Sequence, residues 1–279
     1  MSRTLFLGDS HSCGYYVENH NDVNKAEPVF WSKNNYAEVY SKVNKKPVII
    51  YAIPAGCNKK YPTWLKAMFD YYPDIDEVFI QSTYWNRHLL GVNKYLDLAD
   101  GLKPNHFSHG PNPPPASKDD PLIERWADVQ VTDKYIEIAT RTDPKKINEY
   151  KGFNLNELST GMQDLFANQT YEYTKLWHEH ITHLQYKEYC GDLFIIDNLC
   201  KQYSVKWHLW SINDRVVIPS QLDFYGSLNN CIRPVLNAEQ WIKQHHGIEI
   251  EKHTLDGEHY TKEIHNIIGK EYIPYVKNN

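Results

Sequence analysis

Residues 4–16 read TLFLGDSHSCGYY, and the way this stretch breaks decides the fold. Thr4–Leu7 is a short, β-prone apolar run. It stops at Gly8-Asp9-Ser10, three residues that favour turns. An apolar run without alternation fits a strand buried on both faces, as in a parallel sheet. Three further stretches share its character: 47–53 (PVIIYAI), 77–81 (EVFIQ) and 205–211 (VKWHLWS). Helix-like patterns separate them, over 36–43, 63–71, about 162–189 and 193–203. A last one follows Asp256, with Ile264, Ile267 and Ile268 inward. Within 162–189 the apolar residues Leu165, Phe166, Tyr173, Leu176, Trp177, Ile181 and Leu184 recur near the 3.6-residue period. Strands alternating with helices predict an α/β fold: a three-layer α/β/α sandwich around a mostly parallel central sheet.

The chain has 279 residues, 41% of them hydrophobic, enough for one substantial core, so a single domain over 1–279 is expected. Residues 92–160 break the rhythm. A Pro-, Gly- and Ser-rich loop (GLKPNHFSHGPNPPPASKDDP) leads into WADVQVTDKYIEIATR, which alternates like a hairpin. They are expected to form an insertion over the catalytic edge of the sheet. A net charge of −5 and no long basic run argue against a nucleic-acid partner. No stretch of 18 apolar residues suggests a membrane span, and the N-terminal apolar run is too short for a signal peptide. Five cysteines without a CxxC pair (Cys13, Cys57, Cys190, Cys200, Cys231) suit reduced thiols, and a cytoplasmic location is expected. The 21 Tyr and 8 Trp serve either a carbohydrate-facing cleft or an aromatic core.

If Thr4–Leu7 is a central strand, Ser10 lies just beyond its carboxyl end, where open α/β sheets place their ligands. The following HSCGYY could open a helix, whose N-terminus favours an oxyanion. Other glycine-based readings fail. No Lys-Ser/Thr follows Gly8 and Gly14, so there is no P-loop, and neither GxGxxG nor the GxSxG elbow occurs. A serine nucleophile needs a base. Residues 253–269, HTLDGEHYTKEIHNIIG, offer one. Asp256 and His259 are three apart, so the carboxylate can orient the imidazole that takes the Ser10 proton.

These two motifs together, GDS after the first strand and DGxH before the last helix, resemble the SGNH (GDSL-type) hydrolase family. The resemblance implies a flavodoxin-like sandwich and a catalytic triad of Ser10, His259 and Asp256. It also implies an oxyanion hole built from the Ser10 amide, a glycine after the second strand and an asparagine after the third. PAGCN supplies Gly56 and STYWNR supplies Asn86. The third block departs from the family's Gly-x-Asn-Asp. Here it reads Thr83-Tyr84-Trp85-Asn86-Arg87, without the glycine or the second acid. The implied activity is serine-dependent hydrolysis of a small acyl ester, acetyl first, possible on an O-acetylated carbohydrate, with no metal or organic cofactor. The altered third block also motivates two other readings: a binding or assembly protein that has kept the fold, and an acyltransferase using the same triad.

Other features carry less chemistry. His178, His180 and His183 sit close together but do not form HExxH, and a solvated helix face accounts for them. His245, His246 and His253 lie in the polar approach to the last motif. His11 follows the nucleophile directly and is a candidate to face the site. Cys57 beside Gly56 fits a small buried thiol, and Tyr84 and Trp85 could stack on a substrate or pack beneath the insertion.

Overall fold

In a computed structural model, the described residues are 2–14, 34–52, 58, 61–83, 88–91, 122–126, 135–138, 182–213, 228, 230–254 and 259–278. The strands are β1 (Arg3–Gly8), β2 (Val48–Ala52), β3 (Ile75–Gln81), β4 (His88–Gly91), β5 (Ile123–Trp126), β6 (Tyr135–Ile138), β7 (Lys206–Trp210) and β8 (Cys231–Ile232). The helices are α1 (Tyr36–Asn44), α2 (Tyr61–Tyr71), α3 (Thr182–Gln202), α4 (Ala238–His246), α5 (Lys262–Ile267) and α6 (Ile273–Asn278). A π-helical turn, Ile268–Tyr272, joins the last two. No helix among the described residues is long and apolar enough to cross a membrane.

Six strands form one parallel sheet in the order β5-β2-β1-β3-β7-β8. Alternation along each strand divides the core. Leu5, Leu7, Ile49, Tyr51, Val78, Ile80, Trp207 and Leu209 pack against α2 and α3. Phe6, Val48, Ile50 and Phe79 face the other way, against α1, α4 and the C-terminal helices. Each large apolar side chain so buried contributes about 1.5–3 kcal/mol, against about 0–1 kcal/mol for an exposed ion pair. The two cores therefore hold the three layers together. On the α1 side, Phe6, Phe79 and His208 sit opposite one another across β1, β3 and β7 and stack at 5.1 and 4.3 Å. A β-carbon at Gly269 would lie 2.4 Å from the Tyr36 carbonyl oxygen, so α1 and the π-turn meet in direct backbone contact.

Two buried carboxylates tie elements together. Glu38 Oε1 on α1 accepts from Arg125 Nε (2.9 Å) and Nη2 (2.6 Å), which anchors the edge strand β5. Glu77 on β3 hydrogen-bonds His208 (3.1 Å) and accepts from Lys277 (2.8 Å) and Lys46 (3.4 Å). Burial pushes the Glu77 carboxyl up, but its bonds to His208 and Lys277 outweigh this and hold it down at about 2.

All four expected buried strands are present. Two elements differ from expectation. The patterns at 162–189 and 193–203 meet in one helix, α3; residues 162–181 lie outside the described set. A mid-helix glycine such as Gly191 costs about 1 kcal/mol, but Tyr189, Cys190, Leu193, Ile196 and Cys200 bury one face and override it. Of the stretch read as a hairpin, 126–141, only Trp126 and Tyr135–Ile138 are among the described residues, so the hairpin itself lies outside them. Ile123–Trp126 joins the main sheet beside β2, and Tyr135–Ile138 pairs antiparallel with β4. Strand partners are chosen by open edges elsewhere in the fold, which alternation alone does not reveal. The rest of 92–160 is outside the described residues. Helix α4 was not anticipated, although Asn237 and Gln240 form a capping box at its start.

The order of the strands positions the site. The chain passes from β1 to β2 on one side, then returns over β1 to β3 on the other. The direction of winding reverses beside β1, and the carboxyl ends of β1 and β3 at such a switch point are where open α/β sheets place their ligands.

Candidate active site

The turn after β1 lies at that switch point. Asp9 O accepts from the amides of Ser12 (3.0 Å) and Cys13 (3.2 Å), and His11 O from that of Gly14 (3.2 Å). Residues 10–14 thus make one tight turn; whether a helix continues into Tyr15 lies outside the described residues. Asp9 Oδ1 accepts from the His11 amide (3.1 Å). None of these bonds uses the Ser10 amide. Gly8 makes the turn possible. A β-carbon there would lie 1.7 Å from Ser12 Oγ and 2.6 Å from Ser12 Cβ.

His259 comes from the other end of the chain. An antiparallel bridge between Thr254 and Tyr260, with the Thr261 amide donating to His253 O (3.0 Å), folds the segment before α5 back on itself. This brings His259 Nε2 to 2.9 Å from Ser10 Oγ across 249 positions of sequence. That separation is within reach for proton transfer. The His11 ring lies 5.2 Å from that of His259 and stacks at 5.0 Å on the buried Tyr260. Asp256, Gly56 and Asn86 lie outside the described residues, as do Cys57, Tyr84, Trp85, His178 and His180. His245 stacks on Trp241, while His246 and His253 pair with Glu271 and Glu263.

Several buried polar residues support the site without having been singled out in the sequence. Asn58 Oδ1 accepts from the Thr83 amide (3.0 Å) and its Nδ2 donates to Thr83 O (2.9 Å), pinning the segment after β2 to the exit of β3. Ser82 donates its amide to Trp210 O (2.8 Å), and its hydroxyl meets that of Tyr189 (2.6 Å). Gln81 holds Asp9 and Ser12. The available signal was polarity out of place: a Gln closing an apolar strand, and an Asn in the loop after β2.

His265 on α5 lies behind the pair, fully buried, with its ring over Tyr36 and its Nδ1 accepting the Tyr36 amide (3.2 Å). Burial, then the neighbouring His11 and His259, push its pKa down to about 3 from 6.5. It stays neutral and serves the fold. Both His265 and Glu77 bind fewer protons folded than unfolded. Stability therefore rises with pH between about 3 and 6.5 for His265, and between about 2 and 4.5 for Glu77. The urea midpoint is expected to fall continuously as pH is lowered from about 7 to about 3, and Glu77→Gln to flatten the lower part of that curve. A midpoint that rises on acidification would contradict this.

The placed tryptophan side chains Trp64, Trp207, Trp210 and Trp241 are core residues. Among the described residues no group of three or more His, Cys, Asp or Glu side chains could hold a metal ion. No family model, no curated protein and no solved structure matches this chain.

Proposed function

We propose that this protein is a serine ester hydrolase of the SGNH type. The observation that carries the reading is the 2.9 Å approach of His259 Nε2 to Ser10 Oγ at the switch point of a parallel sheet. A serine hydroxyl is a weak nucleophile until a base takes its proton. In the proposed reaction His259 removes that proton as Ser10 Oγ attacks the ester carbonyl. The tetrahedral oxyanion is met by the Ser10 amide, which the turn leaves unused, with Gly56 and Asn86 as the further donors that the motif match implies. One such donor is worth about 2.7–4 kcal/mol in comparable sites. Collapse expels the alcohol, which takes the proton from His259. Water then attacks the acyl-serine with His259 again as base. Asp256, three residues before His259, is assigned to orient the imidazole and stabilise its cation. The substrate class is a small acyl ester, acetyl first.

A fluorophosphonate probe and p-nitrophenyl acetate test this together. Wild type is expected to be labelled and to hydrolyse the ester, and Ser10→Ala to do neither. An unlabelled, inactive wild type would sink the hydrolase reading in favour of a binding protein on the same fold.

A further inference from the structure

β3 ends on a polar residue. Val78 and Ile80 turn to the α2–α3 core, while Phe79 and then Gln81 point to the opposite face, where Tyr36 lies. Gln81 is 2% exposed, so its amide must be satisfied inside the protein. Its Nε2 donates to Asp9 Oδ1 (2.8 Å). Its Oε1 accepts from Ser12 Oγ (2.8 Å) and Tyr36 OH (3.1 Å), and those two hydroxyls also hydrogen-bond each other. The Gln81 backbone is itself held, its carbonyl accepting from Tyr61 OH (3.0 Å). One side chain on a rigid central strand therefore grips the turn at Asp9, immediately before Ser10, and at Ser12, two residues after it. Gln81 touches neither Ser10 Oγ nor His259.

We infer that Gln81 is the positioning residue for the nucleophile, setting the line from Ser10 Oγ to His259 Nε2 by holding both sides of the turn. The inference rests on Ser10 acting as the nucleophile. The turn from Asp9 to Gly14 is short. Its Cys13 packs into the core beside Phe6 and Phe79, and its described side-chain hydrogen bonds to β3 run through the Gln81 amide. Without the amide, the Asp9 carboxylate and the Ser12 hydroxyl lose their partner on β3, and the turn can shift. A displacement of about 1 Å is enough to cost about a hundredfold in rate. The loss falls on the chemical step, because Gln81 does not face the substrate.

Two variants test this. Gln81→Glu keeps the shape and the acceptor for Ser12 and Tyr36, but sets an oxygen against the Asp9 carboxylate. Gln81→Met keeps the volume and removes all hydrogen bonding. Rates of p-nitrophenyl acetate hydrolysis, normalised to sites titrated with fluorophosphonate, and the rate of that labelling would be measured for each, with cooperative unfolding as the test of folding. The expected result is a kcat about 30- to 100-fold lower with KM within about twofold, and labelling slowed by a similar factor. A folded variant with kcat within about twofold of wild type, while Ser10→Ala is inactive, overturns the positioning role alone. So does failure of both variants to fold, which would make Gln81 a residue of the fold. Hydrolysis that survives Ser10→Ala removes the nucleophile, and this inference falls with it.

Discussion

Replacing His259 by alanine is expected to lower ester hydrolysis by about 10⁴- to 10⁶-fold, as large an effect as losing Ser10 itself. The reason is the pairing of His259 Nε2 with Ser10 Oγ at 2.9 Å. With the imidazole gone, no other base among the described residues is placed to take its proton in the same geometry. His11 lies close, but its ring is stacked on Tyr260 and it packs against His259 instead of bridging to Ser10. Single-turnover measurements with p-nitrophenyl acetate read the loss directly. Folding should change little, because His259 is half-buried on a bend and not part of either core. The Ser10→Ala/His259→Ala double variant should be no worse than either single one, since the two groups act as a unit. Additive losses would mean that they act separately and would count against a shared proton transfer.

The second large effect is expected at Gly8. The space a β-carbon needs there is filled by Ser12, at 1.7 Å for its hydroxyl and 2.6 Å for its Cβ. Rotating the Ser12 side chain relieves the first clash and not the second, and it also breaks the bond to Gln81. Gly8→Ala should therefore destabilise the protein by about 3 kcal/mol, the upper end for overpacking a well-filled site, and reduce hydrolysis sharply by displacing the Ser10 turn. Urea denaturation of Gly8→Ala against Gly8→Ala/Ser12→Gly isolates the cause. The second change removes the obstructing Cβ, so part of the lost stability should return despite the loss of the Ser12 hydrogen bonds. If the double variant is the less stable of the two, the clash is not the reason.

Much of the architecture was legible because it is written in local chemistry. The apolar runs at 4–7, 47–53, 77–81 and 205–211 lack alternation, as strands covered on both faces must, and each became a strand of the parallel sheet. The break at Gly8-Asp9-Ser10 located the exit of the central strand. Where local patterns misled, a distant partner had decided the matter. The alternation at 135–138 marks a strand, but its partner β4 could not be read from it. The patterns at 162–189 and 193–203 stop on either side of Gly191, and buried neighbours on both sides carry α3 through it.

The candidate site divides in the same way. Ser10 and His259 could be named from GDS and DGxH, since those residue types in that order suit one kind of chemistry. Gln81, Asn58, Ser12 and Tyr36 could not. Each looks ordinary in its own neighbourhood and acquires a role only from what lies across the sheet. Residue identity and local periodicity settled which segments are strands and singled out Ser10 and His259 as a candidate pair. The three-dimensional packing alone settled their meeting, because a hydrogen bond of 2.9 Å between positions 10 and 259 depends on strand order, crossovers and helix docking summed over the whole chain.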